Sequence, residues 1–154
     1  MEQFIDANGL KVELAFQKKF FNMESHHVLI ICRYKEKWLL TQHKKRGLEF
    51  PGGKREKGET LEDAAVRETF EETGGVIEEP VFVGEYKVYD QSPFVKTIFY
   101  AEARDVIMKD DYLETYGCKL WEGELTDMQT HPEFSFIMKD KVVELALKHL
   151  NITT

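Results

Sequence analysis

The sequence contains little cysteine and no long apolar run. Only Cys32 and Cys118 occur among its 154 residues, and they are too far apart for a disulfide framework or a cysteine metal site to be expected. Cys32 ends an apolar run, so we expect it to be a small buried hydrophobic residue. No segment approaches about 18 consecutive apolar residues, so we predict no transmembrane helix and no membrane partner.

Signals for export and for internal division are also missing. The first residues, Met-Glu-Gln-Phe-Ile-Asp, contain neither the basic nor the apolar region of a secretory signal. Together with two free thiols, this predicts a cytoplasmic protein. The chain shows no internal repeat and no low-complexity linker, which predicts a single domain over residues 1–154.

Positive charge is in deficit, because the formal net charge is -7 at pH 7. A chain this acidic is a poor candidate for binding nucleic acid through a broad basic surface. It can still act on phosphate groups if divalent cations bind, since such an ion reverses the local charge of its site.

The residue pattern predicts strands and helices in a mixed order. Alternating or β-rich stretches predict strands over residues 11–16, 26–34, 38–42, 81–90, 95–103 and 118–121. Lys35 and Glu36 are expected to form a turn between the second and third strands, and the fourth and fifth strands are expected to form a hairpin. Helices are predicted over residues 60–74 and 134–150. This order predicts an α/β protein with a mixed sheet between helices, and it leaves the topology open.

The first helix carries signals at both ends. Thr60 suits the N-cap, with Asp63 placed as in a capping box, and Gly74 suits the left-handed position after the last turn. One side of the helix is expected to be buried through Leu61, Ala65, Val66, Thr69 and Phe70.

Three carboxylates share another side of the same helix. Glu68, Glu71 and Glu72 are spaced i, i+3 and i+4, which places them on one face. Clustered carboxylate oxygens are the ligands that Mg²⁺ or Mn²⁺ prefers. The alternative is a solvated charged face, which is the more common meaning of helical glutamates. The residues Phe50-Pro51-Gly52-Gly53-Lys54 precede the helix, and their glycines allow close approach of a ligand while Lys54 offers a cation.

The spacing of these residues resembles the Nudix box. Gly53 is followed after five residues by Glu59 and after seven more by Arg67-Glu68-Thr69-Phe70-Glu71-Glu72-Thr73-Gly74. Thr69 and Gly75 stand where the family pattern has apolar residues, and we expect Val76 to supply the missing apolar contact. Segments 38–41 and 48–54 before the box are similar to the MutT-type branch of the family. Together with segment 134–140 they resemble relatives in Gram-positive bacteria that are described as 8-oxo-dGTP diphosphatases and as RNA 5′-pyrophosphohydrolases.

The resemblance implies a Nudix fold, which is an α/β/α sandwich around a mixed β-sheet. It implies that Mg²⁺ or Mn²⁺ is held by Glu68, Glu71, Glu72 and the Gly52 carbonyl, and that Glu68 and Glu71 are catalytic. It further implies that Arg67 orients a glutamate and that Glu59 pairs within the motif.

Three other residues are assigned through the same resemblance. Lys54 is expected to contact a phosphate, and His43 stands where some MutT-type members carry a phosphate-binding arginine. Glu114 is the candidate for a late carboxylate from a loop, and Glu68, Glu71 and Glu114 all remain candidates for the general base. The competing interpretation of His43 and the basic residues 44–46 is an ordinary solvated loop. The competing interpretation of Glu114 is a carboxylate on a surface loop.

Three functions follow from these expectations. The first is metal-dependent hydrolysis of oxidised purine nucleoside triphosphates such as 8-oxo-dGTP. The second is removal of pyrophosphate from 5′-triphosphorylated RNA, which the basic residues 44–46 favour. The third is a non-catalytic Nudix-fold binding module, which is disfavoured because Arg67, Glu68, Glu71 and Glu72 are all present. The sequence leaves the oligomeric state open.

Overall fold

The computed structural model describes residues 1–125 and 128–151. At the centre of the molecule, strands β3 (Ser25–Tyr34) and β9 (Phe94–Glu102) pair in parallel. Antiparallel strands extend the sheet on both sides, so the prediction of a mixed sheet is confirmed. The other paired strands of this sheet are β1 (Glu2–Ile5), β2 (Lys11–Ala15), β4 (Lys37–His43), β5 (Gly47–Glu49), β6 (Gly52–Lys54), β8 (Val81–Tyr89) and β11 (Thr115–Trp121).

The strand order is β1-β2-β8-β9-β3-β4-β11, with β5 paired to β4 and β6 paired to β3. Both predicted turns are present. Lys35 and Glu36 adopt positive φ angles of 48° and 69° between β3 and β4, and β8 pairs with β9 as an antiparallel hairpin. A second, two-stranded sheet joins β7 (Gly75–Val76) to β10 (Asp105–Val106).

Helices cover both faces of the large sheet, as the sandwich architecture requires. Helix α1 (Leu61–Thr73) packs on one face, where Ala64 and Ala65 meet Val28 and Ile30 of β3. The opposite face carries α2 (Phe136–Lys139) and α3 (Lys141–His149) over a larger core. Side chains of β3 alternate between the two cores, because successive residues of a strand point to opposite faces.

The second predicted helix, over residues 134–150, is wrong as a single element. Asp140 has extended backbone, with φ -81° and ψ 178°, and it divides the segment into α2 and α3. Its carboxylate accepts a hydrogen bond of 2.8 Å from the Val142 amide. Aspartate favours such an N-cap over a helix interior, since its side chain competes for backbone donors.

Several short strands escaped the sequence pattern. Strands β1, β5, β6, β7 and β10 are each two to four residues long, too short for an alternation of apolar residues to stand out.

Cys32 is buried as expected, and burial raises its thiol pKa to about 12. Phe70 was expected to be buried on α1 but is 37% exposed. No helix among the described residues is long and apolar enough to cross a membrane.

Candidate active site on helix α1

Both ends of helix α1 are fixed as the sequence predicted. The Thr60 hydroxyl accepts a hydrogen bond of 3.0 Å from the Asp63 amide. Gly74 adopts φ 77°, and its amide donates to the Phe70 carbonyl at 2.9 Å. A side chain at Gly74 would meet the Ile107 carbonyl oxygen at 2.0 Å, so glycine is required there both for its backbone angle and for space.

Lysine and threonine side chains hold the C-terminal turn of α1. Lys109 donates to the backbone carbonyls of Phe70 and Glu71 at 3.1 and 3.0 Å. The Thr41 hydroxyl donates to the Glu72 carbonyl at 2.9 Å. The bonds to Glu71 and Glu72 satisfy carbonyls of the last turn, the bond to Phe70 adds to the one from the Gly74 amide, and the lysine also complements the helix dipole. They fix the turn that carries Glu71 and Glu72.

The two departures from the family pattern are accommodated by packing. Thr69 is fully buried, and its hydroxyl donates to the Ala65 carbonyl at 2.8 Å, which removes the cost of burying it. At Gly75 a side chain would meet Leu39 Cδ2 at 2.6 Å and Thr73 Oγ1 at 2.9 Å. The local packing therefore favours glycine where the family pattern has an apolar residue.

Arg67 connects the carboxylates of the motif. Its Nε and Nη2 donate to the two oxygens of Glu59 at 2.8 and 2.9 Å. Its Nη1 donates to Glu68 at 2.7 Å and to Glu71 at 3.2 Å, and Nη2 also reaches the Lys54 carbonyl at 3.1 Å. The bonds to Glu59 raise the pKa of Arg67 above its ordinary value. One guanidinium thus fixes the positions of several glutamate side chains at once.

Glu68 and Glu72 have unusual electrostatics. Burial raises the pKa of Glu72 to about 8, and the charges of Glu68 and Glu49 add to the rise. The hydrogen bond of 3.1 Å that Glu72 accepts from the Gly52 amide acts in the opposite direction and lowers the pKa. Burial also raises the pKa of Glu68 to about 7, although Arg67 acts in the opposite direction. The local structure therefore lacks enough positive charge to keep both side chains ionised at neutral pH.

Gly53 is the point at which the loop before α1 meets the carboxylates. A Cβ atom there would lie 1.6 Å from Glu68 Oε2. Its neighbour Gly52 has a different constraint, because a Cβ atom there would lie 2.4 Å from the Val28 carbonyl oxygen of β3. The two glycines bring the backbone of the loop against both the sheet and the glutamates.

These residues line one open cavity of about 380 Å³. It brings together most of the positions that the sequence singled out, including Arg46 of the basic residues 44–46, and adds Tyr112 and Leu113. The other members already expected are Gly52, Gly53, Lys54, Glu68, Glu71, Glu72 and Glu114. Three carboxylates, a late carboxylate and two cationic side chains therefore face the same space.

His43 lies outside the residues that line this cavity. Its Nδ1 accepts hydrogen bonds from the amides of Lys45 and Arg46 at 3.1 and 3.2 Å, which shapes the turn between β4 and β5. Arg46 lines the cavity instead, and Glu49 holds it through hydrogen bonds of 2.7 and 3.1 Å. Glu49 was missed by the sequence reasoning, although a charged residue between Leu48 and Phe50 is a usable signal for a buried ion pair.

The donor set fits a hard divalent cation. Glutamate oxygens and a glycine carbonyl are the ligand types that Mg²⁺ and Mn²⁺ prefer. The raised pKa values of Glu68 and Glu72 indicate a deficit of positive charge that a bound cation would relieve. In residues 1–125 and 128–151, no group of three His, Cys, Asp or Glu side chains already has the arrangement of a metal site. Arg67 instead engages Glu68 and Glu71.

Residues 21–138 match the NUDIX domain family, so the chain belongs to this family and is a Nudix hydrolase. It is 41% identical over 151 residues to YtkD of Bacillus subtilis (strain 168), whose name gives 8-oxo-dGTP diphosphatase activity as a provisional function; the match covers 97% of this chain and 96% of YtkD.

Solved structures agree with this assignment. A crystal structure of a variant of the Bacillus subtilis pyrophosphohydrolase BsRppH superposes with a TM-score of 0.94 at 40% identity, covering 98% of this chain and 96% of that one. A NUDIX hydrolase from Nitrosomonas europaea has a TM-score of 0.67 at 17% identity, covering 83% and 89%, and shows the shared fold. The expected Nudix fold is thereby confirmed.

Proposed function

We propose that this Nudix hydrolase is a divalent-metal-dependent pyrophosphohydrolase of purine nucleoside 5′-triphosphates, including oxidised ones such as 8-oxo-dGTP. The observation that carries the proposal is the cavity in which Glu68, Glu71 and Glu72 face Lys54 and Arg46. A polyphosphate needs cationic partners for its oxygens, and a metal ion needs the carboxylates. The provisional function of YtkD supports the same substrate class.

Each residue has a distinct role in this proposal. Glu68, Glu72 and the Gly52 carbonyl would hold the ion, with Glu71 beside them. A divalent ion bound there supplies charge neutralisation at phosphorus and acidifies bound water. Lys54 is exposed at the cavity wall, where its amine binds a phosphate oxygen. Arg67 does not need to touch substrate, because its role is to position Glu68 and Glu71.

A carboxylate of the cavity accepts the proton of the attacking water. Glu68, Glu71 and Glu114 all line the space and can serve as this base. Water attacks phosphorus, the bridging P–O bond breaks, and the products are a nucleoside monophosphate and pyrophosphate, or a diphosphate and orthophosphate. The glutamate that accepts the proton releases it to solvent at the end of the cycle.

A 5′-triphosphorylated RNA is the second candidate substrate. The whole-length similarity to the pyrophosphohydrolase BsRppH favours it, and so does the position of Lys44 and Lys45. Both are exposed on the turn that brings Arg46 to the cavity, where they can meet a phosphate beyond the triphosphate. The non-catalytic alternative has no support from this arrangement, since the catalytic residues of the motif are brought together.

A parallel kinetic assay tests the proposal. The purified protein with Mg²⁺ is given 8-oxo-dGTP, dGTP or a short 5′-triphosphorylated RNA, and kcat/KM is compared. Preference for the oxidised nucleotide establishes nucleotide sanitation, and preference for RNA establishes 5′-end processing. Turnover of none of the three, or full activity in excess EDTA, contradicts the proposal.

A further inference from the structure

A second cavity, of about 520 Å³, is walled by the segment that joins β2 to β3. Residues 19–24 of this segment line it together with Ser25, Arg55, Leu61 and Glu85. This cavity and the carboxylate cavity share no lining residue within the part of the chain that the structure describes. Its volume lies in the range of pockets that bind small molecules, which makes it a candidate for a separate ligand site.

Apolar side chains form much of the wall of this second cavity. Phe20 and Phe21 meet edge to face, with ring centroids 5.2 Å apart. Phe20 is 44% exposed and Met23 is 39% exposed, and Leu61 of helix α1 is half-buried at the same cavity. Exposed apolar side chains that converge on one place are typical of a binding surface. The wall suits an apolar group, and its aromatic rings also suit a cation, because the face of such a ring attracts positive charge.

Glu85 places a carboxylate in this apolar wall. It lies in the middle of β8, paired with Ala15 of β2 and Thr97 of β9, and only 8% of it is exposed. Its Oε1 accepts a hydrogen bond of 3.1 Å from the amide of Phe20. Because Phe20 and Glu85 both line the cavity, this bond places the carboxylate at the cavity wall.

The second oxygen of this carboxylate, Oε2, accepts no hydrogen bond and meets no cation among the residues that the structure describes. Nearby hydroxyl groups are engaged elsewhere. The Thr97 hydroxyl donates to Ser25 Oγ at 2.8 Å, and the Ser25 hydroxyl donates to the Val95 carbonyl at 3.2 Å. A carboxylate withdrawn from water is costly unless a cation and hydrogen bonds replace the water. The cavity is the side from which such a cation can reach it.

The two cationic side chains at this cavity do not pair with Glu85. Arg55 pairs with the carboxylate of Glu24, and its amide donates to the His26 carbonyl at 2.8 Å, which fixes its backbone after β6. Lys19 is exposed and forms no ion pair with Glu85. A ligand can therefore supply the positive charge that Glu85 lacks.

We infer that this cavity binds a small primary amine with an apolar body, whose ammonium group pairs with Glu85. The ammonium donates to Oε2 in a charge-assisted hydrogen bond, which is stronger than a neutral one. The apolar body packs against the side chains of Phe20, Met23 and Leu61. Because Glu85 is nine-tenths buried, a small molecule reaches its carboxylate more readily than a side chain of a folded partner does.

The amine site goes beyond the proposed hydrolysis and does not depend on it. The two cavities are nevertheless neighbours in the fold. Leu61 is the first residue of α1, which carries the clustered glutamates, and Arg55 directly follows Lys54, which lines the carboxylate cavity. An organic cation could also approach those glutamates, so a binding experiment has to locate the bound amine as well as measure its affinity.

Matched ligands test the inference on the wild-type protein. Pentylamine, 1-pentanol and methylamine are titrated in an amine-free buffer at about pH 7, where primary amines are protonated, with excess Mg²⁺ present. Calorimetry and two-dimensional NMR of the backbone amides follow binding. We expect pentylamine to bind with a Kd of about 1 mM or tighter. Binding should be at least about tenfold weaker for 1-pentanol, which lacks the charge, and for methylamine, which lacks the apolar body. The shifted amide signals should belong to residues 19–25, Arg55, Leu61 and Glu85.

Three variants test the two parts of the site. Glu85→Gln keeps an oxygen that can accept the Phe20 amide and removes the charge. We expect it to bind pentylamine about tenfold or more weakly and to lose the preference over 1-pentanol. Glu79→Gln removes a charge at an exposed position outside the cavity, and it should bind pentylamine as the wild-type protein does. Phe20→Ala removes part of the apolar wall and should weaken pentylamine binding severalfold.

Several outcomes overturn the inference. They are the absence of pentylamine binding, equal affinity for pentylamine and 1-pentanol, shifted signals confined to residues 52–54 and 68–72, and undiminished binding in Glu85→Gln. If Glu85→Gln does not fold, the ligand comparison on the wild-type protein and Phe20→Ala still decide. Amine binding at this cavity without hydrolysis of any triphosphate supports the inference and contradicts the proposed function. Hydrolysis without amine binding does the reverse.

Discussion

Arg67 and Glu59, eight residues apart, are joined by two hydrogen bonds of 2.8 and 2.9 Å. Glu59 lies before helix α1 and Arg67 lies within it, so the pair fixes the loop against the helix. The remaining guanidinium nitrogen, Nη1, is directed to Glu68 and Glu71. The positions of Glu68 and Glu71, the proposed catalytic carboxylates, therefore depend on a residue that does not itself need to contact substrate.

Replacement of Arg67 by lysine tests this dependence. Lysine keeps the charge but cannot reach Glu59, Glu68 and Glu71 at once, because it has a single nitrogen. We expect kcat to fall by about 10- to 100-fold with a smaller change in KM. Arg104→Lys, in the exposed pair with Glu78, is the matched control and should leave kcat unchanged. An unaltered kcat in Arg67→Lys would show that the positioning role is wrong.

Glu72→Gln tests the metal-ligand assignment. Glutamine retains an oxygen that can accept the Gly52 hydrogen bond, but it removes the negative charge that a divalent ion needs. Loss of several kcal/mol of transition-state stabilisation corresponds to a decrease in kcat/KM of about 100-fold or more. Glu62→Gln, exposed in the first turn of the same helix, should keep full activity. Unchanged turnover in Glu72→Gln rejects the assignment.

Metal affinity should depend on pH. The carboxyl groups of Glu68 and Glu72 have pKa values of about 7 and about 8, and a cation binds only their deprotonated forms. Affinity for Mn²⁺ is therefore expected to be weak at pH 6 and to rise through pH 7 and 8. Calorimetric titration at pH 6, 7 and 8.5 measures this. A dissociation constant that does not change over this range contradicts the expectation.

Gly53→Ala and Gly52→Ala should fail in different ways. The new methyl at position 53 meets the Glu68 side chain, which can move, whereas that at position 52 meets the Val28 backbone oxygen. We expect Gly53→Ala to lose activity with little change in thermal stability, and Gly52→Ala to be destabilised by about 1–3 kcal/mol. Activity assays and thermal unfolding of both variants measure this difference. Wild-type activity in Gly53→Ala would show that the position of Glu68 is unimportant.

Asp140 is expected to make folding stability depend on pH. Burial raises its pKa to about 7 in the folded protein, from an ordinary value of 3.8 that applies to the unfolded chain. Between these two pH values the folded state therefore binds more protons than the unfolded state. The contribution of Asp140 to stability is therefore lost as pH rises from about 4 to 7 and does not change further above pH 7. Asp140→Asn keeps a helix cap and removes this dependence.

Urea unfolding measures the effect of Asp140. Between pH 5 and pH 8, the wild-type protein should lose about 2–3 kcal/mol more stability than Asp140→Asn. Asp110→Asn, at an exposed position, is the control for a change of one charge. Equal pH dependence in the wild-type protein and Asp140→Asn would contradict a raised pKa at this position.

The site was predictable where residues adjacent in sequence act together. Glu68, Glu71 and Glu72 share a helix face because of helical periodicity, and Thr60 and Gly74 mark its ends by local chemistry. The basic residues 44–46 were expected to approach phosphates, but the turn-capping role of His43 and the pairing of Arg46 with Glu49 were not predicted. His43 uses Nδ1 to cap its own turn, and Arg46 is held in the cavity by the buried Glu49. That arrangement depends on the burial of Glu49 in β5, for which the flanking Leu48 and Phe50 are a local signal that the sequence reasoning did not use.

The sequence by itself determined the family, the mixed sheet and the carboxylate helix, because these depend on spacing along a few consecutive turns or strands. Only the tertiary structure decided that the helix predicted over residues 134–150 is broken at Asp140. It also decided that Asp140 shares a cavity with Lys96, 44 residues earlier in the chain. Contacts between distant segments are fixed by packing of the two cores against the sheet, and packing has no signature in local sequence.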